Sequence, residues 1–297
     1  MSTQQRINYP NETIKLLHER ASVRNYLDKP IEPDILEAIL KAGIHAPTGG
    51  NLQPYSIIKI ESKETKEKLA ELCWQDFIGK AAVDLIFCLD LRRNKRLADI
   101  GVAPHTAYHS FRHFWVSFQD TIIAAQNICT AADAFGLGSC YIATILERIE
   151  EIIRMCELPE GVFPVVLLCL GYPKTQPKVT NKFGLEIMVH NETYVDMPDE
   201  MLFEAYMERE NHRQLGITDE RMSKIKNVCT RAHGEAFAKR CEETIKGNGY
   251  INPIQYRFAL HYEADEMPRG NTDFLQLLEK MGFDWFKEWQ PHEEEKK

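Results

Sequence analysis

Two hydrophobic periods alternate along the chain, and the switches between them lay out the elements. After Pro33, a residue suited to a first helical position, Ile35, Leu36, Ile39, Leu40 and Ala42 recur with helical spacing. That helix is predicted to stop before Ala46-Pro47-Thr48-Gly49-Gly50, a breaker cluster. A short helix is predicted over 12–20 and a charged amphipathic one over 63–73. Residues 55–60 and 139–143 read as strands. Residues 83–90 and 164–170 are continuous apolar runs, as expected of strands buried on both faces. Residues 92–97 read as a basic linker, and 98–116 show no dominant period. The longest predicted helix of this part spans 118–135. Its small and apolar residues, Ile122 to Ala132, run almost all round, which marks it as buried in a core or a subunit interface. Gly136-Leu137-Gly138 ends it, and a helix over 146–156 precedes the last apolar run.

The pattern changes after about Thr193. Charged helical stretches follow at 200–211, 220–245, 255–264 and 273–281, with a break at Asn252-Pro253. Strands alternating with helices, then helices alone, predict an α+β core with a helical C-terminal appendage. Its aromatics, Tyr250, Tyr256, Phe258, Tyr262, Phe274, Phe283, Trp285, Phe286 and Trp289, are expected to pack the appendage onto the core or a dimer mate.

Composition narrows the function. With 297 residues, 44% hydrophobic and 27% charged, the chain is long and apolar enough for a globular core. Lys and Arg number 36 against 44 Asp and Glu, a net charge of −8. Such a chain has no overall pull toward phosphate backbones, so no nucleic acid partner is expected. The eight cysteines contain no C-x-x-C pair, and Cys88 and Cys169 sit in apolar runs. They read as small buried hydrophobes in a reducing compartment. Residues 1–10 lack the apolar core of a signal peptide, and the longest apolar stretch, 163–170, is far short of the ~20 residues that span a bilayer. A cytoplasmic protein without a membrane partner is expected. Asn11-Glu12-Thr13 and Asn191-Glu192-Thr193 match a glycosylation sequon by chance, and 293–297 is a solvated charge run.

Four clusters carry candidate chemistry. In Arg20-Ala21-Ser22-Val23-Arg24, two guanidinium forks flank a hydroxyl, a donor set that suits phosphate oxygens or simply a basic helix end. Ala46-Pro47-Thr48-Gly49-Gly50-Asn51-Leu52-Gln53-Pro54 combines glycines that allow close backbone approach with amides that both donate and accept. The third cluster is Gln126-Asn127 followed by Phe135-Gly136-Leu137-Gly138-Ser139. The fourth is Leu170-Gly171-Tyr172-Pro173 with Lys178 and Lys182 beyond it. None is a P-loop or a G-x-G-x-x-G fingerprint.

In this order and spacing the four clusters resemble the nitroreductase family of FMN-dependent oxidoreductases, over about residues 11–195. The resemblance implies an α+β nitroreductase-like fold, with a mixed, mainly antiparallel sheet flanked by helices in an intertwined homodimer. It implies an FMN-binding domain over 11–195 and a helical extension over 196–297. Arg20, Ala21, Ser22 and Arg24 would hold the FMN phosphate and ribityl chain. Pro47, Thr48, Gly49 and Asn51 would reach the flavin of the other subunit. Gln75 would touch the ring, one of Ile142, Ala143 and Thr144 would meet its N5 edge, and Lys182 would reach the phosphate, where many members carry Arg. The implied activity passes hydride from NADH or NADPH through FMN to a nitroaromatic, a quinone or another small-molecule acceptor in a ping-pong scheme. The flavin supplies the redox chemistry, so no catalytic side chain is required. Rival readings are reductive dehalogenation or flavin destruction on the same fold, or a non-catalytic flavin carrier that docks a partner.

His105, His109 and His113 recur every four residues, which on a helix puts them on one face. The surrounding Tyr108, Phe111, Phe114 and Trp115 favour a lid or interface over a metal site, and no metal is expected. The resemblance puts this region over the substrate face, with His109, His113 or Phe114 lining the pocket.

Overall fold

The computed structural model of the protein describes residues 9–291. The charge run at 293–297 and nearly all of 1–10 lie outside the described residues. By compactness the chain divides into two units, the described parts of Met1–Val179 with Phe274–Lys297, and Thr180–Asp273. The composition change that set the expected 195/196 division falls inside the second unit. No helix among the described residues is long and apolar enough to cross a membrane.

The first unit runs α1 (Glu12–Glu19), α2 (Pro33–Ile44), β1 (Tyr55–Ile60), α3 (Lys63–Leu72), β2 (Val83–Asp90), α4 (Arg92–Ile100), α5 (Phe111–Ala134), β3 (Gly138–Ile142), α6 (Ile149–Met155) and β4 (Val162–Gly171). The sheet has the order β1-β2-β4-β3, and every pairing between these strands is antiparallel. Among the described residues, the parallel component of the expected mixed sheet is one bridge, between Ser22 and Ser139.

The central strands β2 and β4 are buried throughout. Their sequences therefore lack polar alternation, yet their side chains still alternate by face. Val83, Leu85, Phe87 and Leu89 join the core under α2 and α5, while Ile86 and Cys88 join the core under α3 and α6. On β4 the parity slips: Phe163 and Val165 share a face with Val166, Leu168 and Leu170. A β-bulge causes the slip, because Phe87 pairs with Val166 and Cys88 with Pro164, leaving Val165 extra. The bulge also accommodates Pro164, which cannot donate to a ladder, inside a central strand.

Three helical expectations in the first unit need correction. The basic stretch 92–97 is no linker, since it forms most of α4. Helix α5 starts at Phe111, well before 118, because the Ser110 hydroxyl caps it by accepting from the His113 N–H. That cap also separates the histidines. His109 closes a 3₁₀ turn (Ala107–His109) before the cap and His113 lies after it, so the three share no single helix face.

The second unit contains α7 (Leu185–Met188), α8 (Asp199–Arg209), α9 (Asp219–His233), α10 (Glu235–Asn248) and α11 (Pro253–Tyr256). The single helix predicted over 220–245 is broken by Gly234, whose φ of 85° suits glycine alone. Ile225, Val228, Ala238, Ile245 and Ile251 form this unit's own core, with Tyr256 against it.

The chain then returns to the first unit through α12 (Asn271–Lys280). Phe283 is fully buried there, stacked on Tyr108 and edge-on to Phe114 and Phe163. Trp285 and Phe286 pack on the same core.

Asp84 lies on β2 at a position facing the second core. It is fully buried, and neither carboxylate oxygen has a hydrogen-bond partner. Burial pushes its carboxyl up to about 7, with the Cys169 thiol and Lys66 opposing the rise. A carboxyl raised in the folded state favours folding in its protonated form. Stability is therefore full below the unfolded carboxylate range and falls as pH rises toward 7, by a cost on the order of 4 kcal/mol. Asp84→Asn is expected to flatten this dependence and to raise the thermal midpoint at pH 8, with little change at pH 4.5. Unfolding scans of both proteins at the two pH values check it.

Candidate functional site

The site is built around β3, the strand at one end of the sheet. At the end of α1, Arg20 adopts an extended conformation, and the chain runs alongside β3. Ser22 bridges Ser139, and the Val23 N–H donates to the Ser139 carbonyl at 2.9 Å. Gly138 permits this approach, since a Cβ there would lie 2.4 Å from the Val23 side chain. Val23 is buried, Ala21 and Ser22 are half-buried, and Arg24 is exposed.

Arg20 folds back onto the protein. Its Nε–H donates to Asp133 Oδ2 at 3.3 Å and its Nη2–H to Ser139 Oγ at 3.2 Å. Behind it, Cys129 Sγ lies 3.1 Å from Ser139 Oγ. Burial raises the Cys129 thiol, so it stays protonated as a neutral donor.

Beyond the other end of β3, the Gln75 amide donates to Thr144 Oγ1 at 2.8 Å, and that hydroxyl donates in turn to the Cys73 carbonyl at 3.4 Å. The structure thus joins two residues expected at the flavin ring. Of their neighbours, Ala143 is exposed, whereas the Ile142 side chain belongs to the core and offers only its backbone. About 13 Å of strand separates Ser139 from Ala143 at the usual rise per residue. One edge strand therefore carries a cationic cluster near its start and an amide–hydroxyl pair just past its end.

The 47–54 loop is held from below by α5. Both oxygens of the buried Asp120 carboxylate accept from the Gly49 N–H, at 3.1 and 3.2 Å. Thr48 Oγ1 accepts from the Gln53 N–H at 3.2 Å. Asn51 and Gln53 have φ of 57° and 46°, sparsely populated for residues with a side chain. Pro47, Gly49 and Asn51 are exposed, and Thr48 is half-buried.

Lys182 is exposed in the irregular stretch before α7 and belongs to the second unit. His109 Nδ1 lies 2.5 Å from Asp284 Oδ1, a contact with the returning C-terminal segment. Phe114 packs against Phe283 and Trp285, while His113 is exposed in the first turn of α5. A cavity of about 510 Å³ under α4, lined by Asp90, Arg92, Arg93 and Arg96 among others, contains none of the expected residues. Among the described residues, no three His, Cys, Asp or Glu side chains are placed to hold a metal ion.

Sequence reasoning missed Asp120, Asp133, the role of Ser139, and Trp74. The two acids carried a signal: they are the only carboxylates in α5. Trp74, next to Gln75, is well exposed at a φ of 53°, with the Arg148 guanidinium 5.1 Å from its ring centre.

Fold and site together define an α+β protein with a guanidinium cluster beside one edge strand of its sheet. The chain belongs to the nitroreductase family, whose profile matches residues 17–172. It is 33% identical over 191 residues to an FMN reductase [NAD(P)H] of Bacillus subtilis, covering 64% of this chain and 77% of that one. An oxygen-insensitive NADPH nitroreductase of Salmonella typhimurium is 32% identical over 66% of this chain and 80% of its own. The solved structure of B. megaterium NfrA2 aligns with a TM-score of 0.69 at 27% identity, over 93% of this chain and 100% of that one. The likeness to NfrA2 thus extends well past the segment matched by the family profile.

Asp120→Ala would leave the Gly49 N–H without its acceptor and free the 48–51 loop. A loss of about 1–3 kcal/mol in urea-unfolding free energy is expected, together with faster proteolysis within 47–54. A variant as stable and as protease-resistant as the parent would show that the loop does not depend on this contact.

Proposed function

We propose that this chain is an FMN-dependent NAD(P)H oxidoreductase that works as a homodimer and reduces a small acceptor such as a nitroaromatic or a quinone in a ping-pong cycle. The observation that carries the reading is the spacing of two donor sets along β3. Arg20, Ser22 and Arg24 lie near the start of the strand, where the reading puts the phosphate, and Gln75 and Thr144 just past its end, where it puts the ring. The donor chemistry fits FMN, since guanidinium forks match phosphate oxygens and amide or hydroxyl groups match a heterocycle edge.

Bound FMN would accept hydride from a nicotinamide and return electrons to the acceptor, chemistry that belongs to the cofactor. The protein's part is to bind and orient. Arg20 and Arg24 would neutralise phosphate charge, and Ser22 would donate a further hydrogen bond. Gln75, fixed by Thr144, would offer its amide to the edge of the flavin ring. A backbone N–H at Ala143 or Thr144 would face its N5 edge, where a donor stabilises developing negative charge. His109, His113 and Phe114 would border the acceptor's approach.

A second subunit completes this arrangement. Ile44, Leu52, Phe111, Trp115, Phe118 and Ile123 are large apolar side chains exposed on α2, the 47–54 loop and α5, a composition that suits a subunit interface. Docking there would carry Pro47, Thr48, Gly49 and Asn51 to the neighbour's flavin. Eight free cysteines accord with a reducing, cytoplasmic setting.

The purified protein is expected to take up FMN and show flavin absorbance that bleaches anaerobically with NADH or NADPH. Failure to bind FMN would refute the reading. Trp115→Glu combined with Phe118→Glu is expected to give a monomer by sedimentation and to weaken FMN binding. A dimer of unchanged affinity would place the interface elsewhere.

A further inference from the structure

We propose that Asp133 is a positioning residue for Arg20, and that the last two turns of α5 set the phosphate-facing guanidinium in place. The proposal rests on reading Arg20 as a contact to the FMN phosphate.

Asp133 is at the wrong end of its helix. It is the second-last residue of α5, where carbonyl ends make the potential negative and a carboxylate is disfavoured. Its side chain is only 11% exposed, and burial raises its carboxyl, with Arg20 opposing the rise. Neither helix propensity nor solvation favours an acid at this position. Its compensating interaction is the Nε–H of Arg20 at 3.3 Å.

That contact decides which way the guanidinium faces. Arginine has five N–H donors in one plane. Nε–H and one Nη2–H, on the same edge of the plane, are taken by Asp133 and Ser139. The other edge, Nη1 with the second Nη2 hydrogen, has no protein acceptor among the described residues. It is the fork that two phosphate oxygens fit. Cys129 supports the arrangement from four residues earlier on the same face of α5, with Sγ 3.1 Å from Ser139 Oγ and 4.0 Å from Asp133 Oδ2. Ser139 meanwhile holds the Val23 N–H through its carbonyl. The side chain and the following backbone of the Arg20–Val23 segment are therefore tied to the same residue.

Charge and geometry give opposite expectations for Asp133. A carboxylate beside Arg20 repels a phosphate, so if charge alone mattered, removing it would tighten FMN binding. If orientation matters more, removing it weakens binding, because the guanidinium must be ordered anew with each ligand.

The test titrates the flavin-free full chain with FMN and, separately, with riboflavin, which lacks the phosphate, and follows flavin fluorescence. Asp133→Asn, nearly isosteric, and Asp133→Ala are compared with the parent, with thermal midpoints measured alongside. In both variants the FMN dissociation constant is expected to rise about ten-fold or more, the scale of one charge-assisted hydrogen bond. Riboflavin binding is expected to change less than about two-fold, because no phosphate contact is at stake. Unchanged or tighter FMN binding overturns the proposal, and so does an equal loss for both flavins, which would mark Asp133 as structural only. Should Asp133→Ala fail to fold, Asp133→Asn carries the test. A parent chain that does not prefer FMN over riboflavin would instead overturn the reading of Arg20 itself, and the proposal with it.

Discussion

The seating of α5 against the β2–β4 face is the constraint on which the rest depends. Ala125, Ile128, Cys129 and Ala132 fix the helix to the sheet, and Gly43 lets α2 come so close that a Cβ there would lie 2.5 Å from Ile128. Burial on this scale leaves the helix little freedom to shift or rotate. Two acids on that immobile helix then transmit its position to the surface. Asp120 fixes the Gly49 loop and Asp133 fixes Arg20, thirteen residues apart along one rigid rod. The two pieces of binding surface that the proposed reading assigns to different subunits are thus held by the same helix. An error in seating α5 would disturb both together.

Much of this was legible because the determinants were local. The apolar runs at 83–90 and 164–170 announced doubly buried strands, and Pro33 announced a helix start. The basic helix end at 20–24 and the Ala46–Pro54 segment were recognisable as donor clusters. What escaped notice depended on distant partners. The Arg20–Asp133 pair spans 113 residues and the Gly49–Asp120 bond spans 71. No window of sequence shows that these groups meet. The histidine run misled for a local reason: a four-residue repeat suggests one helix face, but the Ser110 cap interrupts it. The Val165 bulge was invisible because a strand buried on both faces has no polar alternation to reveal a change of parity.

The histidines and C-terminal aromatics also show how far chemistry and packing can be confused in a sequence. Tyr108 and Phe114 looked like parts of a lid, yet they form a ring cluster with Phe283 and Trp285. Such rings stack or meet edge-on at 5–6 Å, giving stabilisation beyond their buried area. His109 is drawn into the same assembly through Asp284. The segment between β2 and α5 is thereby fastened by residues some 170 positions further along.

That fastening has a consequence for how the protein is made. The second unit is continuous in sequence and carries its own core, so all of its packing partners are synthesised together. The first unit begins earlier and finishes later. Until Phe283 emerges from the ribosome, the space between Tyr108, Phe114 and Phe163 has no occupant, and those rings face water. Domains generally fold as units during synthesis, and exposed apolar surface is what chaperones bind. The older part of the nascent chain therefore waits, incomplete, for its final ring, and the interval set by translation is when it is most open to capture or aggregation.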